Sequence, residues 1–288
     1  MFSTNYAGIK VPMKKLPIAV NTYSYIYTFR ALESIRHLSE LGFRRFELLF
    51  NAGHIWVPDL EPSLRKSFPT HLLNEGAEIV SFNLPIMDHN LTSPNPDVRL
   101  FTHARFVELI ELAGAWSVPY VVLVPGKISP LLPAPESSLL GWFIDGVGAL
   151  AEVALQYDTK ILIENVPATF VPLAGDLAKA LEGLNDNRVG VVYDVANGFF
   201  AGEDPATGLK TLGNRIELVH LSDTGRNQWR HDPIGTGEVD FRSVAEAIRS
   251  IGFSGQSVME IISANPDHDL LESRGLLAQW GWQESSGE

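Results

Sequence analysis

Short apolar and β-branched runs alternate with stretches of helical periodicity along almost the whole chain. The runs fall at residues 18–21, 45–50, 78–84, 120–124, 160–164, 189–194, 217–221 and 257–261. Each holds four to eight largely apolar residues without strict alternation, the pattern of strands covered on both faces. Between them, Leu32, Ile35, Leu38 and Leu41 recur every three residues, whereas Phe106, Leu109, Ile110 and Ala113 follow a three-and-four spacing,. Val244, Ile248 and Ile251 repeat that spacing behind Asp240, a side chain suited to cap a helix beginning near Phe241,. Gly42 and Gly252, each just past a helical stretch, suit left-handed C-caps,.

Eight strand–helix units at roughly 34 residues each predict an α/β fold closed into a single (β/α)8 barrel of the TIM type. One domain is expected over residues 1–288, with a core at about 17–283 and loose ends near 1–15 and 283–288. An open doubly wound sheet would bring a glycine-rich turn after its first strand. This chain has Thr22-Tyr23-Ser24-Tyr25 there, and no GxxxxGK phosphate loop anywhere,. Residues 125–135, with four prolines, read as a semi-rigid loop beside a site,.

Composition narrows the function classes. The 34 acidic against 22 basic residues give a net charge of −12, which argues against a broad nucleic-acid surface,. Cysteine is absent, removing disulfides, thiolate metal sites and thiol catalysis together,. No signal-like segment and no uninterrupted apolar run of membrane-spanning length is found, so a cytoplasmic location without membrane attachment is expected.

In a barrel of this kind chemistry collects at the carboxyl ends of the strands. Four consecutive strands finish there in Glu164, Asp194, His220 and Glu260, separated by 30, 26 and 40 residues. One unit between neighbours aims all four at one volume. Three carboxylates and an imidazole without a basic cluster are unfavourable unless a cation sits among them. Oxygen and nitrogen donors suit one divalent ion: Mn, Mg, Co or Zn. The alternative is that each carboxylate only caps the helix after its strand.

These residues carry a resemblance. Glu164-Asn165, Tyr193-Asp194-Val195-Ala196-Asn197, Val219-His220-Leu221-Ser222-Asp223, Gly235-Thr236-Gly237-Glu238-Val239-Asp240-Phe241 and Glu260 resemble the xylose-isomerase-like TIM-barrel superfamily. Asn90-Leu91-Thr92-Ser93 and Arg99 are similar to a common segment after its third strand. The superfamily holds sugar isomerases and epimerases, inosose and 3-dehydroshikimate dehydratases, and an AP endonuclease. The resemblance implies that Glu164, Asp194, His220 and Glu260 ligate the metal, with Glu164 and Glu260 also serving as the catalytic acid–base pair. A metal-bound enediolate is then reprotonated on the opposite face in an epimerase, or on the adjacent carbon in an isomerase. Expulsion of a β-hydroxyl instead makes a dehydratase.

Two departures bear on the choice. Many members have histidine three residues after the sixth-strand aspartate, where this chain has Asn197. Endonuclease-like members have an Asp-x-His pair where this chain has Trp229-Arg230-His231. Both argue against a trinuclear zinc site and against DNA as substrate. Substrate contacts are expected from His231, Arg230, Asn197, His89 and Glu47, with Arg226 a further loop cation. Asp223 is expected behind the ligands, orienting His220 or its own loop. Trp280 and Trp282 suit the barrel floor or a dimer contact.

The leading expectation is a metal-dependent isomerase or epimerase of a small polyhydroxylated carbonyl compound, as a homodimer or homotetramer. A dehydratase of a keto-inositol, keto-sugar or 3-dehydroshikimate-like substrate is the alternative. A catalytically silent metal-bound barrel comes third.

Overall fold

A computed structural model describes residues 2–4, 10–12, 15–85 and 88–284. Its centre is a ring of eight parallel strands: β1 (Leu16–Asn21), β2 (Arg45–Leu49), β3 (Glu78–Leu84) and β4 (Tyr120–Leu123), then β5 (Lys160–Glu164), β6 (Val189–Asp194), β7 (Ile216–Leu221) and β8 (Gln256–Met259). Each strand pairs with the next in chain order, and β8 closes on β1 with Ser257 opposite Ile18. The chain forms the (β/α)8 TIM barrel that its periodicity predicts.

Helices α1 (Ala31–Glu40), α2 (Pro62–Glu75), α3 (Pro96–Ala115), α4 (Glu136–Gln156) and α5 (Ala174–Leu184) follow the first five strands. Two shorter helices, α6 (Val195–Phe200) and α7 (Pro205–Leu212), follow β6. α8 (Phe241–Ser250) and α9 (Pro266–Ala278) complete the outer ring. Asp240 caps α8 by accepting from the Arg242 and Ser243 amides, and Gly42 and Gly252 take positive φ just beyond α1 and α8,. Among the described helices α4 alone is long and apolar enough on average to cross a membrane. Leu139, Phe143, Val147, Leu150 and Ala154 form a buried stripe along it, as a helix packed on a barrel requires,.

Strand alternation divides the core into two zones. Phe46, Leu48, Ile161, Ile163, Val191 and Val219 belong to the large core that also takes in helix residues such as Leu38, Phe143, Leu177 and Ile248. The intervening residues make separate buried clusters: Val122, Leu162, Val192 and Leu218 in one, Ala19, Val80 and Val258 in the other. Two residues beyond Leu162, Val192, Leu218 and Val258 stand Glu164, Asp194, His220 and Glu260. A period of two keeps them on the same face as the apolar cluster residues, one level nearer the carboxyl end. β8 ends at Met259, so Glu260 is the first residue past its strand. Its amide still bonds the Leu221 carbonyl at 3.0 Å, continuing the ladder.

Trp282 is buried in a two-residue strand, Trp282–Gln283, that pairs with Leu16 at the amino end of β1. This is the floor position. Near the N-terminus Phe2–Thr4 pairs antiparallel with Lys10–Pro12. The other residues of the N-terminal stretch expected to be loose, and residues 285–288, lie outside the described residues.

Candidate active site

Glu164, Asp194, His220 and Glu260 are all buried at the carboxyl mouth, and one donor atom from each lies within 4.8 Å of the other three. His220 Nδ1 is 3.3 Å from Glu260 Oε2, 3.5 Å from Glu164 Oε1 and 3.8 Å from Asp194 Oδ2. Donors about 2.0–2.2 Å from a common ion stand about 3.3–3.6 Å apart in a tetrahedron, which the Glu260 and Glu164 distances match and the 3.8 Å Asp194 distance slightly exceeds. His220 Nδ1 and Asp194 Oδ2 are buried and have no hydrogen-bond partner. Orphaned polar atoms of this kind are costly, and a cation would satisfy both.

Capping does not account for the carboxylates. Asp194 does cap α6, accepting from the Asn197 amide at 2.7 Å, but it uses only Oδ1 and leaves Oδ2 for the cluster. Asn165 fixes the Asp194 backbone, accepting from its amide at 2.8 Å and donating to its carbonyl at 3.1 Å. Neither Glu164 nor Glu260 is a helix cap.

The electrostatics are those of a buried acidic cluster. Burial pushes the Glu164 carboxyl up to about 7 and that of Asp194 up to about 6,. Burial would also raise Glu260, but the His220 and His231 imidazoles beside it hold it below its ordinary value. For His220 burial opposes the charged form, yet the Glu47 and Glu260 carboxylates drive its pKa well above the usual histidine range.

Glu47 is the group behind His220. It is wholly buried on β2, 3.1 Å from His220 Nε2. It also accepts from Asn21 Nδ2 at 2.6 Å, Ser81 Oγ at 2.6 Å and Asn83 Nδ2 at 3.1 Å. A carboxylate at Nε2 fixes the tautomer and leaves the Nδ1 lone pair for a metal. Glu47, expected at the substrate, therefore stands behind the cluster and does not line the cavity. Asp223, expected to orient His220 or its loop, orients the loop: it accepts from the Thr224, Gly235 and Val239 amides at 2.9, 2.8 and 3.1 Å.

Above the cluster is a cavity of about 260 Å³. Of the four clustered residues, only Glu164 and Glu260 line it. His231 and Asn197 line it too. His231 Nδ1 is 3.0 Å from Ser222 Oγ and 3.4 Å from Glu260 Oε2. Asn197 donates to Glu164 at 3.2 Å and accepts from the Trp229 indole at 2.7 Å. Arg230, expected at the substrate, turns outward instead and pairs with Asp232 at 2.8 Å, leaving it half exposed. Arg226 lies over the Phe199 ring, its guanidinium 3.6 Å from the centroid. His89 is buried between Trp56 and Phe101, with Nδ1 3.2 Å from the Pro85 carbonyl, and does not line the cavity.

Tyr23, Trp229 and Lys127 line the cavity as well, without an assigned role in the sequence. Tyr23 follows Asn21, whose side-chain oxygen accepts from its amide at 2.7 Å. Its phenol is pushed up to about 12 by burial and by the Glu260 charge. Trp229 packs on Phe200. Lys127 sits on the proline-bounded loop after β4, which Asn90 holds by donating to the Lys127 carbonyl at 2.7 Å. Gly126 is required there: at φ +126° an added Cβ would lie 1.9 Å from Asn90 Oδ1,.

The profile of the xylose isomerase-like TIM barrel family matches residues 35–280. The chain belongs to this family. It is similar to the inosose dehydratase of Geobacillus thermodenitrificans, 27% identical over 166 residues, covering 50% of this chain and 55% of that protein. A D-tagatose 3-epimerase-like protein superposes with a TM-score of 0.81 at 24% identity, over 92% of this chain and 97% of the other. The zinc-bound IOLI protein superposes at 0.76 and 18% identity, over 92% and 96%. The superposed structures share the barrel of this chain.

Proposed function

We propose that the protein is a metal-dependent isomerase or epimerase of a small keto-polyol. One observation carries the reading: within the ligand cluster only Glu164 and Glu260 reach the cavity. They come from β5 and β8, on different sides of the barrel mouth. A substrate carbon seated between them has a carboxylate on each side. One removes the proton beside the carbonyl and the other returns it, to the opposite face or to the neighbouring carbon. A divalent ion held by Glu164, Asp194, His220 and Glu260 supplies positive charge for the oxyanion that develops on the substrate. Asn197 holds Glu164, and Ser222 with Glu260 holds His231, so the acid–base groups are fixed before substrate arrives,. The likeness to an epimerase-like protein and to a zinc-bound barrel supports this reading.

A dehydratase is the second reading, favoured by Tyr23 and Lys127 in the same cavity. A phenol kept protonated beside the substrate could pass a proton to a departing β-hydroxyl,. Incubation of metal-loaded protein with a panel of keto-sugars in deuterated water separates the two. Deuterium uptake without mass loss identifies proton transfer alone, and loss of one water identifies the lyase. Glu164→Gln and Glu260→Gln should each lower exchange by about 10²–10⁴-fold. Full exchange in either variant refutes the acid–base assignment.

A further inference from the structure

The loop after β7 is fastened to α6 at several points. Arg226 sets its guanidinium over the Phe199 ring and donates to the Phe199 and Glu203 carbonyls. The buried Thr224 hydroxyl accepts from the Arg230 amide at 3.2 Å and donates to the Gln228 carbonyl at 3.1 Å, so the backbone is pinned on both sides of Trp229. The Trp229 ring lies against Phe200, and its indole N–H donates to Asn197 Oδ1 at 2.7 Å. Asn197 is buried. It gives its backbone amide to Asp194 Oδ1 at 2.7 Å and its side-chain amide to Glu164 Oε1 at 3.2 Å.

We propose that Trp229 is a positioning residue, which acts through Asn197 to hold Glu164 Oε1 toward the cation site. The proposal rests on the metal-dependent reading above and adds a residue to it. An indole nitrogen only donates and a carboxylate only accepts. An asparagine between them therefore has one satisfied orientation, with Oδ1 to the indole and Nδ2 to Glu164. Without the indole N–H, Oδ1 becomes a buried acceptor that has lost its donor, and the amide is no longer held in that orientation. Glu164 Oε1 is the oxygen 3.5 Å from His220 Nδ1, so the Asn197 bond bears on the atom that would meet the metal. A carboxylate oxygen has two lone pairs; Asn197 takes one direction and leaves the other to the ion. The amide is neutral, so Glu164 keeps its full attraction for a cation.

The test is Mn²⁺ affinity, read by calorimetry on the wild type, Trp229→Phe, Asn197→Leu and the double variant, with circular dichroism to check each fold. Trp229→Phe keeps a ring against Phe200 and loses the N–H. It should lower Mn²⁺ affinity by about tenfold, and Asn197→Leu by about 10–100-fold. The double variant should bind no more weakly than Asn197→Leu alone, since both changes cut one path. Wild-type affinity in Trp229→Phe overturns the proposal, because a packing role would survive that change. A double-variant loss equal to the product of the two single losses overturns it too. A second measurement needs no variant at Trp229. Of the six tryptophans only Trp229 lines the cavity, so one indole N–H signal in the NMR spectrum should move at saturating Zn²⁺, and should hardly move in Asn197→Leu. No moving indole signal, or equal movement in Asn197→Leu, overturns the proposal. Failure of every keto-sugar to exchange deuterium counts against the proton-transfer reading alone, because neither readout involves a substrate.

Discussion

From β5 to β8 each strand leads into a group with an atom facing the centre of the barrel mouth, whereas β1, β2 and β3 carry polar groups that face one another. Asn21, Glu47, Ser81 and Asn83 form one hydrogen-bonded net, which Glu47 joins to the His220 imidazole at Nε2. The same net touches Glu260 through Asn21 Nδ2 at 3.2 Å. The second half of the barrel thus provides the clustered donor groups, and the first half supports them from behind. A buried carboxylate has lost its water and must be matched by donors. Glu47 has three hydrogen-bond donors and the His220 imidazole around it, and it does not line the cavity.

Substitutions on the two sides should therefore fail differently. Glu47→Ala leaves Asn21, Ser81, Asn83 and His220 facing a void, and should cost about 3–5 kcal/mol of stability. Urea or thermal unfolding measures this; a loss under about 1 kcal/mol would mean that the first half supports nothing. Glu47→Gln keeps the volume but weakens acceptance from Nε2. It should lower metal affinity by about 10–100-fold while the fold is retained, as calorimetry with Mn²⁺ or Zn²⁺ can show. Wild-type affinity in this variant would break the proposed division of labour. Arg230→Ala belongs to neither half of the centre. It should change stability by less than about 0.5 kcal/mol and leave metal affinity as it was; a marked loss would return Arg230 to the site.

The two halves also differ in how far they could be read in the sequence. Glu164, Asp194, His220 and Glu260 stand out because each follows an apolar run at the same strand-end position, one unit from the next. That regularity identified the barrel as well as the cluster. Glu47 stood out only as a charge inside an apolar strand. Its partners are common residue types on three strands, and they meet because β1, β2 and β3 are neighbours with a register shift between Phe46 and Glu47. Lys127 and Trp229 were not legible, since loops place them through distant contacts: Asn90 against Gly126, and Asn197 against the indole. The position of Arg230 has a related origin, because Asp232, two residues away, pairs with it outside the cavity.

The central claim is that Glu164, Asp194, His220 and Glu260 hold one divalent cation. Metal content and affinity, measured on the wild-type chain and on Asp194→Asn after chelation and reloading, test it most directly. The account predicts one equivalent per chain, with affinity lowered by more than about 100-fold in the variant while the circular dichroism spectrum is unchanged. No bound metal in the wild type, or equal affinity in Asp194→Asn, would contradict it.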